Sequence, residues 1–123
     1  MLAALASLAA DAPPAPTGDP AEDVLTLLEE IAISIAGPQA GVMSSLLVGP
    51  DRELAEALRA AKLAPQLERL RERLRAAVGD VADLETRAEL GPALISFRAL
   101  VLGRQVTRLE LREEILPQLL RSF

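Results

Sequence analysis

The sequence predicts an all-α domain, a bundle of about six helices. Three observations predict it. Apolar residues recur at helical steps of three and four, and no segment shows the alternation of a strand. Helix starts are spelled out at Asp19-Pro20, at Asp51, at Asp83 and at Thr107-Arg108-Leu109-Glu110. The Val and Ile residues fall inside helical patterns rather than in runs of their own. At 123 residues the chain is one domain by length, and a domain of this size buries roughly two-thirds of its unfolded surface.

The elements follow in order. Met1 to Ala10 is Ala-rich and apolar and reads as a short helix. It has no basic n-region and meets Asp11 early, which argues against a secretory signal. Residues 12–19, APPAPTGD, form a loop, because three prolines and a glycine block helix and strand alike. Asp19 then caps a helix with Pro20 in its first turn and Glu22 three residues on. Its buried face is Val24, Leu27, Leu28, Ile31 and Ile35, and Gly37-Pro38 ends it. Pro38 opens the next helix, with Val42, Met43, Leu46 and Leu47, which stops at Gly49-Pro50. Asp51 caps a third, with Leu54, Leu58 and Ala61 inward. Pro65 kinks or restarts the chain before the stripe of Leu63, Leu67, Leu70, Leu74 and Val78, which Gly79 ends. Asp83 caps a helix to about Gly103, and Thr107 opens the last one.

The last two helices differ from the rest. Ala93 to Leu102, ALISFRALVL, is apolar on almost every face, broken only by Ser96 and Arg98. In the final helix Leu109, Leu111, Ile115, Leu116, Leu119, Leu120 and Phe123 cover about half the circumference, against roughly 100° for an ordinary surface helix. A single chain covers one side of this pair. The other side would leave a patch larger than soluble monomers tolerate. The economical solution is a two-fold dimer in which both helices meet their symmetry mates as a four-helix bundle. The expected interface is Leu94, Ile95, Val101, Leu102, Leu109, Arg112, Ile115, Leu116, Leu119 and Leu120. The competing arrangement is a globin-like monomer that wraps these helices itself.

Composition removes most chemistry. The chain has no His, Cys, Trp or Tyr, one Lys (Lys62) and two aromatics, Phe97 and Phe123. That leaves no thiol nucleophile, no Ser-His-Asp triad and no zinc or iron–sulfur site, so no metal and no cofactor is expected. The net charge of −5 argues against binding a phosphate backbone. Two aromatics are too few for a base-stacking platform. The 20 uncharged residues between Glu30 and Asp51 match a bilayer in length. Gly37-Pro38 interrupts them, as do Ser34, Gln39, Ser44 and Ser45, so two short helices are the better reading and no membrane span is expected.

The run Glu68 to Arg75 carries four arginines, but Glu68–Arg71 and Glu72–Arg75 are i,i+3 pairs of a solvated helix face. Glu29-Glu30 and Glu113-Glu114 are sequence neighbours that diverge by about 100° on a helix, so neither pair converges as an acid/base dyad.

The stretches Gly49–Gly79 and Leu90–Leu120 resemble the C-terminal half of tetracycline-repressor (TetR) family transcriptional regulators. The marks are Pro50-Asp51, Ala64-Pro65 ahead of the Arg-rich helix, Gly91-Pro92, and Leu100-Val101-Leu102-Gly103 before the closing helix. Two departures are visible: a shorter segment from Gly79 to Asp83, and a Gly91-Pro92 that stands further from Leu100 than in common members. The resemblance implies residues 1–11 as the tail of a connecting helix, 12–19 as a loop, and 20–123 as a regulatory domain whose helix-turn-helix head is absent. It implies a cytoplasmic homodimer that encloses a small-molecule pocket and meets DNA only through that missing head.

The pocket candidates are Met43, Leu47, Leu58, Leu70, Leu74, Phe97 and Arg98. The apolar ones serve equally as plain core. Arg98 reads either as an anchor for an anionic or carbonyl group or, as we favour, as the partner of Glu85, Glu89 or a carboxylate of a second chain, or as a head that reaches solvent. Arg112 reads as an interface pairing. So few hydrogen-bonding side chains imply a mostly aliphatic effector. The alternative function is a helical interaction and dimerisation module without a small-molecule site. An enzyme would need several arginines converging on one cavity, which the pattern does not offer.

Overall fold

The computed structural model describes residues 15–36, 45 and 48–121. Among these, every regular element is a helix. Four rods make up the fold. The first is α1, Pro20–Ala36. The second joins α2, Arg52–Leu58, to α3, Ala64–Val78, through one wide π turn at Arg59–Leu63. The third is α4, Leu84–Ser96, continued by a π turn at Phe97–Val101. The fourth is α5, Arg108–Glu110, then a π turn at Leu111–Ile115, then α6, Leu116–Leu120. The expected helices over 1–10 and from Pro38 fall wholly or mainly outside the described residues.

The caps explain where the rods begin. The Glu22 amide donates to Asp19 Oδ1 (3.3 Å) and the Leu54 amide to Asp51 Oδ1 (3.1 Å). The Glu110 amide donates to Thr107 Oγ1 (3.1 Å). Asp83 does not cap α4, contrary to expectation: its carboxylate receives Arg87 Nε (3.0 Å) from one turn along. A charged donor at i+4 outcompetes the neutral backbone N–H groups for that oxygen. Gly79 and Gly103 end their rods with φ of +81° and +69°, a region that L side chains rarely adopt.

The centre of the bundle is α1. Val24, Leu25, Leu27, Leu28, Ile31 and Ala32 are all buried. This helix packs on α3, α4, α6 and the Leu111–Ile115 turn. Leu70 and Leu74 meet it from α3, Ala88 and Ile95 from α4, and Leu111, Ile115, Leu116 and Leu119 from the last rod. Gly91 marks the closest approach. A Cβ built there would stand 2.6 Å from Leu28 Cδ2 and 3.2 Å from Leu119 Cδ1. The Gly-Pro step inside α4 is thus explained in its first residue by helix packing.

This arrangement corrects one expectation. Ile95, Ile115, Leu116 and Leu119 do not face outward to a second copy; their own chain encloses them. α1 lies across the inner side of the last rod and takes the place assigned to a partner. The broad apolar arc is therefore split between core and surface. Leu94 and Leu120 are half-buried, while Val101, Leu102 and Leu109 remain exposed.

Candidate functional site

Two features of the surface stand out, an apolar groove and an apolar end. The groove holds about 230 Å³ where α1, α3 and α4 meet. Ile31 forms its wall from α1, Leu63, Gln66 and Leu67 from the start of α3 and the turn before it, and Glu89 and Pro92 from α4. Among the described residues, no side chain bonds Gln66 or Glu89. Two larger clefts are built differently. One of about 610 Å³ at the α3–α4 corner is lined by Val78, Asp83, Arg87 and Arg121, and Arg87 already serves Asp83 and the Leu119 carbonyl. One of about 350 Å³ lies beside Ile33, Val106 and Arg108, and Arg108 pairs there with Glu29.

None of the described pocket residues named from sequence lines the groove. Leu58, Leu70 and Leu74 are fully buried, filling the core instead. Phe97 is half-exposed at the far end of α4. Met43 and Leu47 lie outside the described residues. The groove is formed by Leu63 and Leu67, the first members of the leucine stripe, together with Ile31 and Pro92. The stripe signalled the α3 wall. Nothing in sequence spacing signalled that Pro92 would join it.

The apolar end is formed by Phe97, Leu100, Val101, Leu102 and Leu109, which are 51 to 67% exposed. They are five of the seven large exposed apolar side chains among the described residues, so the distribution is concentrated rather than scattered. The wide turn at Phe97–Val101 holds three of them, Leu102 follows it directly, and an ion-pair cluster ties the turn to the start of the last rod. Arg98 Nη1 lies 2.9 Å from Glu110 and 3.3 Å from Glu114, and Arg104 Nη1 lies 2.6 Å from Glu110. The bonds from Arg104 and Arg98 hold the Glu110 carboxyl below its usual range. Arg98 pairs within its own chain, with Glu110 and Glu114 rather than with Glu85 or Glu89. Arg112 pairs inside its own chain, with Glu22 of α1 at 2.6 Å, and not across an interface.

Two buried arginines went unseen in the sequence. Arg73, from the run read as a solvated face, is buried and donates from Nη1 to the Asp23 carbonyl (3.0 Å). Arg87 donates from Nη1 to the Leu119 carbonyl (2.9 Å), an orphan acceptor at a helix C-terminus. The remaining pairs of the run stand as read: Glu68 bonds Arg71, and Glu72 bonds Arg75 at 2.7 Å.

Among the described residues there is no group of acidic side chains placed to hold a metal ion, and no helix long and apolar enough to cross a membrane. No curated protein and no solved structure matches the chain. One family model does match: that of the tetracyclin repressor-like C-terminal domain, over residues 14–115. The match spans most of the chain and takes in α1 through the turn that leads into α6, including the Gly91-Pro92 step and the Leu100–Gly103 end of the third rod. The chain, helical in every regular element among its described residues, belongs to the tetracyclin repressor-like C-terminal domain family.

Proposed function

We propose that this chain is the small-molecule-sensing and homodimerisation domain of a repressor. The observation that carries the reading is the apolar end at Phe97, Leu100, Val101, Leu102 and Leu109. Burying a Leu or Phe contributes roughly 1.5–3 kcal/mol, and association costs about 4–15 kcal/mol. Two copies of this end carry ten such side chains, each a half to two-thirds bare, and burying what remains exposed is of the same order as that cost. A two-fold contact buries the same patch on both copies and needs no second surface. The dimer contact is therefore shifted from the middle of the last two helices toward the Phe97–Leu109 end. The groove at Ile31, Leu67 and Pro92 supports the sensing half of the reading, since it is concave and its surface is almost wholly apolar.

The test is the dependence of thermal stability on protein concentration. A dimer melts at a higher temperature when more concentrated, by mass action. The wild-type midpoint should rise over a hundredfold concentration range, and that of Val101→Glu should not. A wild-type midpoint independent of concentration would contradict the proposal.

A dimerisation module without a small-molecule site is the second reading. The full burial of Leu58, Leu70 and Leu74 favours it, because a filled core leaves no enclosed cavity at those residues. Stabilisation of the chain by a neutral aliphatic probe separates the two.

A further inference from the structure

We propose that Glu110 is the positioning residue of the dimer contact: its carboxylate clamps the two arms of the bend at Gly103, through Arg98 and Arg104, and so fixes the apolar end in the shape that a second copy of this chain meets. The inference rests on the homodimerisation reading above and adds what controls the strength of that contact.

Packing alone does not hold the apolar end. Phe97, Leu100 and Val101 sit on a wide turn of which no residue is buried. Leu102 follows, and Gly103, at φ +69°, bends the chain toward the last rod. Between Ile95 and Leu111 one residue, Val106, is buried, so the core grips this stretch at a single point. Polar bonds fix the rest. The Leu102 amide donates to the Phe97 carbonyl and the Arg104 amide to the Arg98 carbonyl, both at 3.1 Å. Glu110 Oε2 then accepts from Arg98 Nη1 (2.9 Å), ahead of the bend, and from Arg104 Nη1 (2.6 Å), after it. Glu110 is itself placed by its amide, which donates to Thr107 Oγ1 (3.1 Å). Leu102 and Leu109 lie on opposite sides of the bend, so the group that sets the bend sets their spacing.

This pair is also more enclosed than the others. The side chains of Arg98 and Glu110 are 18 and 17% exposed, whereas in Arg75–Glu72 and Arg112–Glu22 both partners are at least 40% exposed. An enclosed pair is screened less and holds its geometry better. Association is tighter when the contact surface already has its bound shape, because ordering side chains on contact weakens affinity.

The test combines sedimentation equilibrium of the full chain with amide hydrogen exchange at Leu102 and Arg104. Glu110→Gln should raise the dimer Kd about tenfold and speed exchange at both amides, while the helical circular dichroism persists. Arg104→Met, which removes one arm through an exposed side chain, should raise the Kd about threefold and tests the clamp through a second variant. Glu72→Gln, which breaks an exposed pair on α3, should change neither reading. Were Glu110 a stabiliser of the single chain only, its loss would lower the urea midpoint of the monomer and leave the dimer Kd unmoved. A Kd unchanged in both Glu110→Gln and Arg104→Met would therefore overturn the clamp and leave the dimer reading standing. A wild-type chain that stays monomeric at every concentration would overturn both.

Discussion

Arg73 Nη1 donates to the main-chain carbonyl of Asp23 across 50 residues of sequence, at 3.0 Å. The bond fixes α3 to the first turn of α1. The Asp23 carboxylate in turn accepts from the Thr17 amide (2.9 Å) and hydroxyl (2.7 Å). One arginine thereby holds the loop ahead of α1, the start of α1 and the middle of α3 in register. Replacing Arg73 by Met keeps most of the side chain's packing and removes its charge-assisted bonds. Such bonds contribute about 1.5–3 kcal/mol each. Arg73→Met should therefore lower the unfolding free energy by about that amount, measured by urea denaturation.

Gly91 predicts a packing cost. In an ordinary helix interior Gly→Ala stabilises by roughly 1 kcal/mol. At Gly91 the added methyl meets Leu28 Cδ2 and Leu119 Cδ1, both on fully buried leucines. Overpacking of that kind costs about 1–3 kcal/mol. Gly91→Ala should lower the thermal midpoint, and Leu28→Ala in the same chain should remove part of the further loss that the added methyl causes. A Gly91→Ala protein more stable than wild type would show that the rods are not in contact there.

Acid should unfold the protein through named carboxylates. Hydrogen bonds from the Thr17 amide and hydroxyl, helped by the nearby Arg73 charge, hold the Asp23 carboxyl below its ordinary value. The Arg112 bond does the same to Glu22, and the Arg104 and Arg98 bonds to Glu110. Each group releases its proton more readily folded than unfolded. The stability they contribute is complete above the unfolded carboxylate range, about pH 4, and is lost as pH falls through the lower folded values. The urea midpoint should be flat above about pH 6 and decline steeply below about pH 4. Asp23→Asn should lower the plateau and reduce that slope.

The local grammar was legible in the sequence, and the long-range partners were not. Asp19, Asp51 and Thr107 cap as their positions predict, because capping depends on residues three or fewer positions away. Asp83 fails for an equally local reason, the guanidinium of Arg87 four residues on. The stripe of α3 is real, with Leu70 and Leu74 at its centre. Arg73 on the same helix is buried because a carbonyl of α1 lies opposite, and no periodicity encodes that. The same holds for the groove. Leu63 and Leu67 were visible as a helical face, but Ile31 and Pro92 join them only through the crossing of α1 and α4. The apolar breadth of the last two helices was read correctly as composition and only in part as surface, since α1 covers Ile95, Ile115 and Leu119 and leaves Val101, Leu102 and Leu109 bare.

Light scattering on the purified chain at micromolar concentration tests the dimer most directly. The exposed end at Phe97–Leu109 predicts a mass of twice the 13.1 kDa chain, falling to the single-chain value in the Leu102→Glu, Leu109→Glu double variant while its helical circular dichroism persists. A wild-type mass of one chain at that concentration would contradict it.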